Sequence, residues 1–297
     1  MSRRIDYARL PTERVNRASA HFDRLPIRRA LTIINNEDAT VSRSVKRALP
    51  SIERAVRAIV TSLRGGGKLL FIGAGTSGRL GVMEAAECPP TFNTPRELVQ
   101  AVMAGGNQSV FRSKEGAEDR GQDAARAVRA KISQGDVVVG IAASGVTPFV
   151  RDGLAAAQAC GAKTILVTCH SAPPKIAQIT ISVPVGAEVI AGSTRLKAAT
   201  ATKLVLNSLT IASMVQLGKV YGNRMVDLQP RSKKLVERAV RLIGEIGRVP
   251  EEKARALFTA AGGNAKTAIV MARTGDTRAQ ARERLRKGGG LLRKAIS

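Results

Sequence analysis

Tryptophan is absent, and aromatic residues make up only 3% of the 297 positions. Aromatics interleaved with basic residues, on which nucleic-acid bases stack, are therefore missing. No zinc-finger or RNP-type motif appears. Histidine is confined to His21 and His170, and the three cysteines, Cys88, Cys160 and Cys169, have no paired spacing. That usage argues against a zinc site and fits a reducing compartment. Met1 to Leu10 carries charge but no apolar stretch of the signal-peptide kind. No apolar run approaches membrane-span length. These absences predict a soluble, cytoplasmic protein with no membrane partner, no metal and no cofactor.

Acidic residues are also few. Lys and Arg number 48 against 23 Asp and Glu, a formal charge of +25. Such a balance first suggests nucleic acid. The arginines, however, are scattered rather than gathered in one run, and many fall on helices that also carry apolar stripes. No specific nucleic-acid partner is expected, and a basic surface would also attract an anionic substrate.

What is present is a chain with 44% hydrophobic residues. Its core would be built from Val, Ile, Leu and Ala, as in parallel sheets. The length allows one large α/β domain with a small appendage. From Pro11 to about Leu63 the pattern is helical. It is clearest over Thr40 to Leu63, where Val41, Val45, Leu49, Ile52, Val56 and Ile59 recur at helical spacing. Pro50 marks a kink or a junction, and Gly65-Gly66-Gly67 stops the helix. Short apolar runs then read as buried strands: Lys68 to Ile72, Leu98–Met103, Asp136–Ala142, Lys163–Thr168 and Ile179–Val185. Helical segments lie between most of them, roughly Gly106–Ala130 and Thr147–Cys160. This alternation predicts an α/β fold with a doubly wound parallel sheet flanked by helices. A long helical stretch, Thr194 to Lys219, follows. Beyond Pro230 the composition shifts to Lys, Arg, Glu and Ala, in blocks that suggest three short helices. The expected organisation is a helical segment over 1–64, the α/β domain over 65–230, and a small helical module over 231–297.

Two loops carry the chemistry. Gly73-Ala-Gly75-Thr-Ser-Gly78-Arg79 follows a strand and fits the G-x-G-x-x-G pattern of dinucleotide sites. Three features oppose that reading. The helix it opens should be short, because Pro89-Pro90 follows closely. The acidic residue expected at the end of the second strand is missing. Thr76 and Ser77 place two hydroxyls in the loop, which suits a single phosphate better than a pyrophosphate. Ala143-Ser144-Gly145-Val146-Thr147 repeats the chemistry after a later strand. One such loop is commonly a helix cap. Two, at the carboxyl ends of parallel strands, favour a phosphorylated ligand. Thr76, Ser77, Ser144 and Thr147 are its candidate contacts.

Strand–GxGxS–helix followed by strand–ASGxT–helix resembles the sugar-isomerase (SIS) fold, which binds phosphosugars. Longer stretches are similar to N-acetylmuramic acid 6-phosphate etherases: Gly73-AGTSGRLGVMEAAECPPTF-Asn93, Lys114-EGAEDR-Gly121 and Val137-VVGIAASGVTP-Phe149. Pro11-Thr-Glu-Arg-Val-Asn16, Ile33-Ile-Asn-Asn-Glu-Asp38 and Gly263-Asn-Ala-Lys-Thr-Ala-Ile-Val-Met271 also resemble that family. Gly186-AEVIAGSTRLKAATATKLVLN-Ser208 matches a signature that the etherases share with glucokinase regulatory proteins. The basic balance and the stretch from Arg3 to Arg29 depart from the pattern.

The resemblance implies a lyase acting on a sugar that bears a D-lactyl ether and a phosphate. It implies that Glu87 is the proton donor and Glu118 the second catalytic carboxylate, and it adds Glu188, Ser193, Arg195 and Lys197 as substrate-side residues. Arg195 or Lys197 would meet the lactyl carboxylate or the phosphate, or else pack the long helix. It also implies a homodimer and a ubiquitin-associated-like C-terminal module. Cys88, with no paired His nearby in sequence, reads as a buried thiol rather than a nucleophile. A non-catalytic phosphosugar sensor, an aldose–ketose isomerase and a DNA-binding regulator are the competing readings. Glu87 within Glu-Cys-Pro-Pro and Glu118 within Gly-Ala-Glu-Asp favour the etherase over the first two. Against the third, no compact N-terminal three-helix domain with its own linker is visible.

Overall fold

The computed structural model describes residues 10–230 and 232–297. The reading of the N-terminus as lacking a signal peptide, and the basic residues before Leu10, lie outside the described residues. In chain order the helices are α1 (Ile27–Asp38), α2 (Val41–Arg47), α3 (Leu49–Arg64), α4 (Gly75–Phe92), α5 (Gly121–Arg129), α6 (Pro148–Ala159) and α7 (Lys197–Gln216). After them come α8 (Lys233–Gly247), α9 (Glu251–Ala260), α10 (Ala265–Thr274), α11 (Arg278–Lys287) and α12 (Leu292–Ile296). The chain divides into two compact units. One joins the chain up to Ala86 with Glu97–Thr210, and the other joins Glu87–Arg96 with Ile211–Ser297.

The first unit is built on β1 (Leu69–Gly73), β2 (Val99–Met103), β3 (Val137–Ile141), β4 (Lys163–Thr168) and β5 (Ile179–Ser182). They lie in the order β2-β1-β3-β4-β5 with every pair parallel. β1 and β3 are buried at every residue, hence their unbroken apolar runs. Strand side chains alternate between faces. Leu70, Ile72 and Val138 form one core with Ala124, Val128, Val150 and Leu154 of α5 and α6. Phe71 and Ile141 point the other way and lie against Gly81 of α4. At the amino ends of the strands the buried Asp136 carboxylate accepts from the N–H of Lys68 at 2.7 Å and of Ser133 at 2.9 Å.

Pro50 does mark a junction. α2 ends at Arg47, and Pro50 sits in the first turn of α3, where its missing N–H has no partner to lose. Other details differ from the sequence reading. Only Gly121–Arg129 of the expected helix over Gly106–Ala130 is α-helical. Gly106 and Gly116, at φ 77° and 68°, adopt left-handed conformations that break the run into two short 3-10 turns. The helix opened by the first glycine loop is not short. α4 runs 18 residues with Pro89 and Pro90 inside it, and Glu87 lies within it. α4 ends just before Asn93, at φ 52°, whose N–H donates to the Pro89 carbonyl. α7 corrects a further reading. Within its 20 residues an 18-residue stretch reaches a mean hydropathy of 1.2, long and apolar enough to cross a membrane by length and composition. Thr, Ser and Asn dilute the run to the eye, and half of it is buried inside the protein, as in a core helix.

The second unit carries an antiparallel ribbon, β6 (Val220–Tyr221) and β7 (Arg224–Met225), before the C-terminal helices. Five helices stand after Ser232 where three blocks were expected. The last two are rich in Arg and Lys and show little apolar periodicity. A capping box opens α11, in which Thr277 and Gln280 satisfy each other's backbone N–H. Val240, Ile243, Ala268 and Ile269 form this unit's core with Leu292. The buried Lys266 donates to the Gly218 carbonyl at 2.8 Å and to Asp227, which also accepts from Lys219. Burial pulls the Lys266 ammonium below its ordinary range, and Asp227 opposes that shift.

The first glycine loop depends on close approach at Gly78. A Cβ there would lie 2.7 Å from the Gly73 carbonyl oxygen and 2.8 Å from Met103 Cγ. The backbone contact cannot give way as a flexible side chain could. Gly78→Ala is therefore expected to destabilise the first unit by about 1–3 kcal/mol. Urea unfolding should show this as a lower midpoint at unchanged slope.

Candidate active site

β1 and β3 are neighbours, yet the chain leaves β1 toward β2 and leaves β3 toward β4. Their outgoing connections diverge and open a crevice at the carboxyl ends, the place where open α/β sheets bind ligands. A cavity of about 280 Å³ lies there, lined by Thr76, Ser77, Glu118, Ser144, Thr147 and Thr194, among others. Thr76 and Ser77 stand in the first turn of α4, half-buried, beside the unpaired N–H groups of that turn. Arg79, one turn on, donates to the carbonyls of Val110 at 2.8 Å and Ser109 at 2.9 Å. Its guanidinium thus ties α4 to the turn at 107–110.

The second loop is held from β4. The Ala143 carbonyl accepts from the Cys169 N–H at 3.0 Å and from the Thr168 hydroxyl at 3.1 Å. Within the loop the Ser144 hydroxyl accepts from the Val146 N–H at 3.3 Å. Thr147 occupies the N-cap of α6 without a side-chain cap bond. The structure therefore brings all four hydroxyl candidates, and Glu118, to one cavity. No Lys or Arg lines it among the described residues. Hydroxyls and two helix N-termini are what it offers an anion. Glu118 sits in an exposed 3-10 turn, Ala117–Asp119, ahead of α5. Glu87 is an exposed residue of α4 and belongs to the second unit.

The four residues of the shared signature behave differently. Glu188 is buried, and its carboxylate accepts from the N–H of Lys197 at 3.0 Å and of Ala198 at 2.8 Å. It caps the start of α7. Burial pushes its carboxyl above the usual glutamate range, and the two backbone bonds pull against that. Lys197 is buried too and pairs with Glu37 of α1. Arg195 is exposed, and neither it nor Ser193 lines the cavity, although Gly192 and Thr194 beside them do. For Lys197 the packing alternative describes its surroundings. Cys88 is buried, as read from sequence. The Cys169 thiol is pushed up to about 12 by burial and by the Glu188 charge, which keeps it protonated.

The sequence reading missed Glu13, Thr194 and Asp119 as lining residues. All three lay inside stretches already singled out for resemblance, which was the available signal.

A family profile described as glucokinase regulatory protein N-terminal SIS domain matches residues 51–158. The c3406 protein of E. coli CFT073, solved as a complex, has a TM-score of 0.50 at 16% identity, over 67% of this chain and 97% of that one. That likeness concerns the fold. Proteins named N-acetylmuramic acid 6-phosphate etherase are far nearer in sequence. The one from Geobacillus sp. (strain WCH70) is 44% identical over 97% of this chain and 99% of its own. Those of Rhizobium rhizogenes and Mycolicibacterium smegmatis are 46% and 44% identical, over 97% and 98% of this chain and 95% and 99% of theirs. The chain belongs to the N-acetylmuramic acid 6-phosphate etherase family. In this etherase-family chain the profile match takes in both hydroxyl loops and Glu118, and stops before the Glu188 signature.

Glu188→Ala would strand two buried N–H groups at the start of α7. Each unsatisfied group costs about 1–3 kcal/mol. The variant should lose about 2–5 kcal/mol by chemical denaturation. Because the folded-state carboxyl is raised, the stability its proton contributes is present below the unfolded value and lost as pH rises through the folded one. The wild-type advantage should therefore shrink as pH rises from about 4.

Proposed function

We infer that this chain is a cytoplasmic lyase that cleaves the D-lactyl ether of N-acetylmuramic acid 6-phosphate. The products are N-acetylglucosamine 6-phosphate and D-lactate, and the reaction serves cell-wall amino-sugar recycling. The observation that carries this is identity of 43–46% to proteins of that name across nearly the whole chain. Relatives aligned end to end favour it over a phosphosugar sensor of the glucokinase regulatory kind, which the profile match alone would leave open.

The chemistry proposed is elimination followed by addition. With the sugar ring open, the C1 aldehyde acidifies the C2 proton. A base removes it, the C3–oxygen bond breaks with a proton delivered to the lactate oxygen, and a C2–C3 double bond remains. Water then adds its oxygen to C3 and a proton to C2. Glu87 and Glu118 are proposed as the two proton-transfer groups, Glu87 donating to the leaving oxygen. Well-placed groups of this kind each contribute roughly 10²–10⁴-fold. Thr76, Ser77, Ser144 and Thr147 are proposed to hold the phosphate, and no metal or organic cofactor enters the scheme. A homodimer is proposed as well. The exposed Leu204, Ile211 and Val215 recur along one face of α7, as a buried helix contact would require.

Incubation with N-acetylmuramic acid 6-phosphate should release D-lactate and the amino-sugar phosphate in equal amounts. Glu87→Gln should nearly abolish release while keeping the fold. If Glu118 removes the C2 proton, that variant should still exchange the C2 hydrogen with solvent deuterium. Full lactate release by Glu87→Gln would overturn the mechanism. Ser77→Ala and Ser144→Ala should each raise KM, since hydrogen bonds to charged groups contribute about 1.5–3 kcal/mol. An unchanged KM in both would place the phosphate elsewhere.

A further inference from the structure

Glu13 lines the cavity that holds Ser77, Ser144 and Glu118. It comes from the segment before α1, far from the sheet in sequence. Two bonds fix that segment at the cavity edge, and a third, within the segment, orients the carboxylate. The Gly192 N–H donates to the Thr12 carbonyl at 3.0 Å, and the Asn16 side-chain amide donates to the Ala187 carbonyl at 3.1 Å. The buried Thr12 hydroxyl donates to Glu13 Oε1 at 2.8 Å. The other oxygen, Oε2, lies close to Gly192, 3.0 Å from where a Cβ would stand there. This is a charged group positioned by its neighbours at a ligand cavity.

An ionised carboxylate only accepts hydrogen bonds. It repels phosphate, and it repels the lactyl carboxylate as well. What it attracts on a phosphorylated amino sugar are the hydroxyl groups and the acetamido N–H. The cavity is thus divided by chemistry. Hydroxyls and helix N-termini stand at the ends of β1 and β3, and an acceptor stands on the N-terminal segment. We propose that Glu13 is a specificity-determining substrate contact, accepting hydrogen bonds from the sugar's hydroxyl and amide donors while its charge turns the anionic groups toward the hydroxyl loops. The inference rests on the reading of the cavity as a phosphosugar site.

The test is calorimetric binding of N-acetylglucosamine 6-phosphate and of inorganic phosphate to the full chain. Wild type is compared with Glu13→Gln and Glu13→Ala, and the melting temperature of each variant is recorded. Loss of a charged hydrogen-bond acceptor should weaken the sugar phosphate by roughly 10- to 100-fold in Glu13→Ala, and by less in Glu13→Gln. Inorganic phosphate, relieved of a like charge, should bind as well as before or more tightly. Sugar-phosphate affinity that stays level or rises would overturn the proposal. So would parallel weakening of both ligands, which would mean that the cavity itself had been disturbed. Lactate release by the wild type is measured alongside. Its absence would remove the lyase reading, whereas release with Glu13-independent binding would remove only this inference.

Discussion

β1 and β3 lie side by side and parallel, and their chains depart in opposite directions. The crevice follows from this, because two connections leaving a shared edge cannot both cover it. Everything at the candidate site is arranged around it. Gly73 and Ile141 pair across the strands and end them at the same level, so the first turn of α4 and the loop into α6 face one cavity. Asp136 holds the opposite ends of the same two strands through two backbone N–H groups. A crevice made by topology needs little from any single side chain, which is why small and hydroxyl-bearing residues suffice to line it.

The N-terminal segment and α7 supply what the sheet cannot. Glu188 accepts from the first N–H groups of α7, and the chain between them, 189–196, is thereby drawn to the cavity edge, where Gly192 and Thr194 appear. Gly192 in turn holds Thr12, and with it Glu13. The signature that looked like a set of ligand contacts is, for Glu188 and Lys197, a set of internal bonds: one caps a helix and the other pairs with Glu37 on α1. Neither lines the cavity, and both are buried, so in this structure their polar atoms are engaged within the fold.

The strands, the switch from helical to strand periodicity and the two hydroxyl loops were legible because each rests on local pattern. β1, β3 and β4 read as buried apolar runs, and no local rule competes with that signal. α4 was misjudged because a local rule, proline as breaker, was overridden. The helix continues through Pro89 and Pro90 to a left-handed Asn93. The loop at 106–120 was misjudged in the reverse sense, its glycines being tolerated on paper and left-handed in fact. α11 escaped the apolar-period test because six of its ten residues are charged and Leu285 is its one large apolar residue. Its capping box is a sequence signal, but one that needs the helix to be suspected first. Which member of the Glu188 signature faces a ligand is a question of tertiary placement, and no spacing rule carries that information.

The chain's charge and the site's charge have opposite signs. The whole sequence carries +25, yet the cavity's ionisable lining among the described residues is Glu13, Glu118 and Asp119. These act over different distances. Screening limits charge interactions to about 8 Å at physiological salt, so the basic surface acts on an anion's approach and not on its final pose. At contact range the hydroxyls and helix ends are the groups proposed to hold the phosphate without a cation. A lysine or arginine there would bind phosphate more strongly, but it would also form ion pairs with nearby carboxylates and so occupy the groups proposed to move protons. With no Lys or Arg lining the cavity among the described residues, those carboxylates stay available, and on the proposed reading the distributed surface charge supplies the attraction that the lining does not.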